Sequence, residues 1–161
     1  MRSARFALAA GAVLVPVVAR AGTVAVTLPR LDIAEYKKPY VAGWIEPAGG
    51  GGARSLFVWY DYRKVGNEPG TKWLSDLRSW WRKSGRSLTL PADGISGATR
   101  GPGSYSVALP ANLAPGNYVV NVEATRENGG RELVSVPVTL PNGAARGAGK
   151  SELGTVAVAA K

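Results

Sequence analysis

The 161-residue chain contains no cysteine and no histidine. Without cysteine no disulfide can brace the fold in any compartment, so stability has to come from a hydrophobic core. Without histidine the chain lacks the commonest metal ligand, the usual general base and the usual axial haem ligand. Cys/His zinc sites and Ser-His-Asp or Cys-His triads are excluded by composition. A hydrolase would have only scattered carboxylates to serve as base. Long hydrophobic runs are scarce too. The run "FALAAGAVLVPVV", residues 6–18, falls short of the ~20 residues of a membrane span.

That run has a particular setting. Arg2 and Arg5 precede it, and Ala19-Arg20-Ala21 follows it, just before Gly22. A positive start, a short apolar stretch and a small-x-small exit are the parts of a secretory signal peptide. The expectation is a leader over residues 1–21, cleaved after Ala21, and one exported domain over residues 22–161 with no membrane span after processing. Acidic residues are in short supply: 20 Lys and Arg face 11 Asp and Glu, for a net charge of +9. Three of those charges, Arg2, Arg5 and Arg20, leave with the leader, which brings the mature chain to +6. Such an excess suits a phosphate-bearing partner or an anionic surface. The basic residues are scattered and the chain is exported, so nucleic acid is not an expected partner.

What the chain does have is alternation of period two, the mark of half-buried strands. It runs through "TVAVTL", "YVAGWIE" (residues 40–46), "SLFVWYDY" (55–62), "YSVAL" (105–109), "NYVVNVEAT" (117–125), "ELVSVPVTL" (132–140) and the closing "GTVAVAA". In "SLFVWYDY" the alternation puts Leu56, Val58, Tyr60 and Tyr62 on one face and Phe57 and Trp59 on the other. Turn signals separate the runs, and "NGG" at 128–130 reads as a hairpin. Pro137 inside its run predicts an edge or a bulge. The expected fold is all-β: an immunoglobulin-like antiparallel β-sandwich of about seven strands. "LAPGNY" sets Tyr118 where a tyrosine can hydrogen-bond back across a turn as a tyrosine corner does, or simply lie buried.

One segment departs from this pattern. "KWLSDLRSWWRKSG" places Trp73, Leu77, Trp80 and Trp81 at i, i+4, i+7 and i+8, which predicts one short amphipathic helix near residues 73–83 in a crossover loop. Its tryptophans either cap an open end of the sandwich or shield a planar ligand. "PNGAARGAGKSELG", residues 141–154, is Gly-rich and reads as a mobile loop.

The helix leads to "DGISGATR", residues 93–100. Thr99 offers a hydroxyl able to carry a covalent group. Gly97 and Ala98 leave the backbone open to a large partner, and Gly94 permits unusual backbone angles. Asp93 and Ser96 can brace a turn, and Arg100 offers a fork for a phosphate. The stretch also reads, more plainly, as two turns in a row. It resembles the flavinylation motif of bacterial proteins that receive FMN from a periplasmic FAD:protein FMN transferase: Asp, two free positions, Ser or Thr, Gly, Ala, then the acceptor Thr or Ser. Asp93, Ser96, Gly97, Ala98 and Thr99 match every fixed position. Such a match arises by chance roughly once in a thousand chains of this size, a few times more often at this Gly and Ala content.

Over most of the mature length the chain is similar to a family of predicted periplasmic proteins known only as a domain of unknown function. The similarity rests on "KPYVAGWIE", "VWYD", "KWLSDLRSWWRKSGR", "DGISGATR", "PGNYVVNVEATRENGGREL" and "SELGTV". That family is linked with flavin transferases and with PepSY-type membrane proteins. The resemblances together imply a periplasmic electron carrier, rather than a turnover enzyme, with FMN esterified to Thr99. Trp80, Trp81 or Trp73 would pack on the flavin ring, Arg100 or Arg86 would offset the phosphodiester charge, and Asp93 would serve the transfer reaction. The implied partners are the transferase and a PepSY-type membrane redox protein. The rival reading is a non-redox periplasmic sandwich that works as a binding module, which fold alone does not distinguish.

Overall fold

Alternating apolar residues build two sheets that close on each other. The computed structural model describes residues 22–63 and 66–161; the expected leader and its cleavage point lie outside the described residues. Nine strands occur among the described residues: β1 Gly22–Leu28, β2 Tyr40–Pro47, β3 Arg54–Trp59, β4 Ser96–Gly97, β5 Gly103–Ala108, β6 Gly116–Thr125, β7 Arg131–Leu140, β8 Ala144–Ala148 and β9 Thr155–Ala160. One sheet has the order β5-β1-β9-β8 and the other β4-β3-β2-β6-β7. Pairing is antiparallel throughout, except that β4 runs parallel to β3. The fold is the all-β sandwich that the alternation predicts.

The strand count differs from the expected seven because of β4 and β8, which carry almost no apolar signal. β8 lies in the segment expected to be a mobile loop. It pairs with β9 from Ala144↔Ala159 to Ala148↔Thr155, and it lies so close to β7 that a β-carbon on Gly147 would sit 2.9 Å from Val134 Cγ1. Small residues are what permit that approach, and they also hide the strand from a reading based on hydrophobicity. The following turn is clasped by Glu132 of β7, whose carboxylate accepts the backbone N–H groups of Lys150, Ser151 and Leu153. Burial alone would raise this carboxyl's pKa, but the backbone donors together outweigh it and hold it below its ordinary value.

Between the sheets lies a core built from Val24, Val26, Val41, Ile45, Val120, Val122, Val156 and their neighbours. A second apolar cluster covers the outer face of the five-stranded sheet and includes Ala42, Trp44, Val58, Tyr60, Leu74, Leu77 and Trp80. Strands β2 and β3 are therefore buried on both faces, which is why residues 55–60 are buried without a break. A register shift between Gly43 and Trp44 adjusts the pairing of these strands. Leu56 joins the inner core beside Phe57 instead of lying with Val58 and Tyr60 on the outer face, as strict alternation predicts.

The covering segment is not one helix over residues 73–83. It is a 3-10 turn, Gly70–Asp76, followed by helix α1, Arg78–Lys83, and a second 3-10 turn, Gly85–Ser87. Leu74, Leu77 and Trp80 are its buried apolar side chains, at a spacing of three that suits 3-10 geometry. That spacing takes Trp73 out of the apolar face and leaves it half-exposed.

Other expectations hold in detail. The NGG segment joins β6 to β7, and Asn128 takes φ 55°. Pro137 lies exposed on the edge strand β7. Tyr118 donates its hydroxyl to the Ala114 carbonyl at 2.8 Å, as a tyrosine corner does. Tyr105 makes the same reach to Gly101, at 2.7 Å. "PGSY" and "PGNY" share the Pro-Gly-x-Tyr pattern that could have signalled both.

Candidate functional site

The segment 93–100 is partly turn and partly strand. Gly94 adopts φ 70° in the turn, and the Ala92 N–H donates to Ser96 Oγ at 3.0 Å, so Ser96 does brace it. Asp93 is exposed. Ser96 and Gly97 then pair with Val58 and Trp59, and Tyr60 N–H donates to the Gly97 carbonyl at 3.0 Å. Gly97 has a packing reason to be glycine: a β-carbon would sit 2.9 Å from Cδ1 of Trp59. Ala98 is exposed, and Thr99, past the end of β4, is half-buried.

Extended backbone sends consecutive side chains to opposite sides. Arg100 stacks its guanidinium carbon 4.5 Å from the Trp59 ring centroid and 4.9 Å from that of Tyr105, a cation–π cradle at the end of the inner core. Thr99 faces the other way. Its hydroxyl donates to Asp61 Oδ1 at 3.1 Å, and both residues line a cavity of about 970 Å³.

Tyr36, Tyr40 and Trp73 supply aromatic surface to this cavity, and Lys38 and Arg78 supply charge. Arg126 and Arg131 also reach it, but each is paired: Arg126 forms a double hydrogen bond with buried Glu152 at 2.9 and 3.0 Å, and Arg131 meets buried Glu123. Lys37 pairs with Glu35. Among the described residues, Lys38 and Arg78 have no carboxylate within ion-pair distance. Asp61, Asp76 and Glu127 add acidic groups. The Tyr40 phenol donates to the Gly70 carbonyl at 3.1 Å; burial, followed by the nearby Asp61 charge, pushes its pKa up to about 12. Burial raises Tyr36 as well, against the opposing pull of Arg126. Both phenols therefore stay neutral donors at ordinary pH.

The expected site residues fall in different surroundings. Trp80 is fully buried beneath the helix, and its Nε1 donates to Ser55 Oγ at 2.9 Å, so neither ring face is open to a cofactor. Trp81 is half-buried against the outer core and forms no part of the cavity wall. Arg86 is exposed, outside that wall, and Arg100 is held on Trp59 and Tyr105. Of the three candidate tryptophans, Trp73 shares the cavity with Thr99. Asp61, Tyr36, Tyr40, Lys38 and Arg78 belong beside Thr99 and carried no motif of their own. The signal for Asp61 is its place at the end of "VWYD", two residues past the end of β3, the strand that pairs with β4.

Helix α1 owes its position to Glu123 of β6. This fully buried carboxylate accepts the N–H groups of Ser79 at 3.0 Å and Trp80 at 2.9 Å, at the helix start. A carboxylate here satisfies backbone donors that helix geometry leaves free, and it anchors the wall from which Trp73 and Arg78 reach the cavity.

Fold and site together define a two-sheet sandwich, antiparallel but for the short strand β4, with a helical cover and a side cavity lined in part by the Thr99 hydroxyl just past the end of β4. Residues 21–155 match the family described as "Predicted periplasmic protein (DUF2271)", and the chain belongs to that family. No curated protein matches the chain, and no solved structure does. Among the described residues no helix is long and apolar enough to cross a membrane.

Proposed function

We propose that this protein is a periplasmic electron carrier whose FMN is joined by a phosphoester to Thr99. The observation that carries the reading is that the Thr99 hydroxyl, at the accepting position of the flavinylation-like motif, lies in the wall of a cavity of about 970 Å³ lined by Trp73, Tyr36 and Tyr40. Small-molecule sites span about 300–1,000 Å³ and combine aromatic walls with a few placed polar groups. The residues present fit the group: aromatic faces suit a flat ring system, and the cations Lys38 and Arg78 suit a phosphodiester. FMN, once attached, supplies the electron-carrying chemistry; the protein supplies attachment, orientation and shielding. The family's periplasmic description supports access to an exported FAD:protein FMN transferase, and the leader expected over residues 1–21 would direct that export. A PepSY-type membrane protein is the proposed redox partner.

Co-expression and export with an active transferase tests this. The protein should become yellow, keep its colour after denaturation and gain about 438 Da, one FMN less water. Thr99→Ala should abolish the gain, and Thr99→Ser should retain part of it, because the hydroxyl remains. Colourless protein of unmodified mass, beside a second acceptor that the same transferase does modify, would leave the non-redox binding module as the better account.

A further inference from the structure

We propose that Asp61 is the proton acceptor for Thr99 when the flavin is attached, so that the acceptor protein itself supplies the base. This inference rests on the reading of Thr99 as the attachment site. The geometry behind it comes from the sheet. β3 and β4 are parallel, with Trp59 opposite Gly97. Two residues further on, the same register sets Asp61 beside Thr99, and the hydroxyl donates to Oδ1 at 3.1 Å. Gly70 packs against this point so closely that a β-carbon there would run into the Asp61 carbonyl oxygen. The backbone that carries the carboxylate is thus held from one side by the Gly70 turn and from the other by the β3–β4 pairing.

A threonine hydroxyl is a weak nucleophile until its proton has somewhere to go. In the transfer, Thr99 Oγ forms a bond to the FMN phosphorus of FAD, the pyrophosphate P–O bond breaks and AMP leaves. The proton from Oγ passes to the Asp61 carboxylate, and nothing is oxidised or reduced. A carboxylate locked to an arginine would serve poorly, but among the described residues Asp61 forms no ion pair. The hydroxyl that has to react donates to it, and the neutral Tyr40 phenol lies close by.

The test is a time course of FMN gain, read by intact mass, with purified transferase, FAD and the exported protein. Asp61→Asn keeps an oxygen able to accept the Thr99 hydrogen bond but cannot take its proton. Its initial rate should fall at least about 100-fold, the lower end of what a positioned base contributes. Asp61→Ala should be equally slow, and added formate should restore part of its rate, a rescue that a purely structural role would not produce. An Asn variant that gains mass within about threefold of the wild-type rate would overturn the proposal, since a lost base costs far more than that. If the Asn variant does not fold, Ala with formate decides, and absence of rescue overturns it. If the wild type itself gains no FMN while another acceptor does, the flavoprotein reading has failed rather than the role of Asp61.

Discussion

At the scale of single residues, two positions next to the site have measurable consequences. Gly97 is wedged against Trp59, so Gly97→Ala must push the indole or separate β4 from β3. A loss of about 1–3 kcal/mol is expected, the usual cost of overpacking, measured by urea unfolding followed through tryptophan fluorescence. An unchanged midpoint would mean that the edge strand yields freely. Tyr40 makes a pH-dependent contribution. Its folded pKa is raised to about 12 from 10.0, so the stability it adds is fully present below pH 10 and is lost as the pH rises toward 12. Tyr40→Phe gives up the bond to the Gly70 carbonyl and should cost about 1 kcal/mol near neutral pH. Its disadvantage against the wild type should shrink between pH 10 and 12, because phenylalanine has no proton to lose. Parallel melting curves for the two proteins across that range check the sign.

At the scale of elements, what could be read from the sequence depended on how much apolar surface each element presents. All seven alternating runs are strands, because each buries Val, Leu, Ile or aromatic side chains on at least one face. β8 escaped notice because its closeness to β7 demands small residues, and β4 because two residues leave no period to detect. The helical cover was legible as a break in the alternation, but its division into 3-10 and α turns was not. The buried row Leu74, Leu77, Trp80 follows a spacing of three, and the other tryptophans obscured it. The motif located Thr99 without its surroundings, since Asp61 and Tyr40 arrive through sheet pairing and Trp73 through the cover. The anchoring of α1 was illegible for the same reason: Glu123 sits in an alternating strand and meets the helix only in three dimensions. Glu123→Gln should cost about 3 kcal/mol, as loss of a buried charge partner does, because Arg131 and two helix N–H groups then share a neutral amide. Urea unfolding measures it; a change below about 1 kcal/mol, the scale of an exposed pair, would mean that the helix is seated by its apolar face alone.

At the scale of the whole molecule, the sandwich acts as a frame that brings an edge strand, a strand end and a helical cover to one cavity. The inner core carries the fold, and the outer cluster seats the cover that contributes Trp73 and Arg78 to the cavity wall. If Thr99 carries the proposed flavin, changes to the aromatic wall, away from Asp61 and Thr99, should alter the flavin's environment without preventing its attachment. Trp73→Ala should leave the mass gain intact but change flavin fluorescence, whereas Thr99→Ala removes the gain itself. The most direct test of the central claim is the intact mass of the protein purified from its native periplasm, followed by peptide mapping. The account predicts a gain of about 438 Da, one esterified FMN, on the peptide that contains Thr99. An unmodified mass in cells whose transferase is active on another acceptor would contradict it.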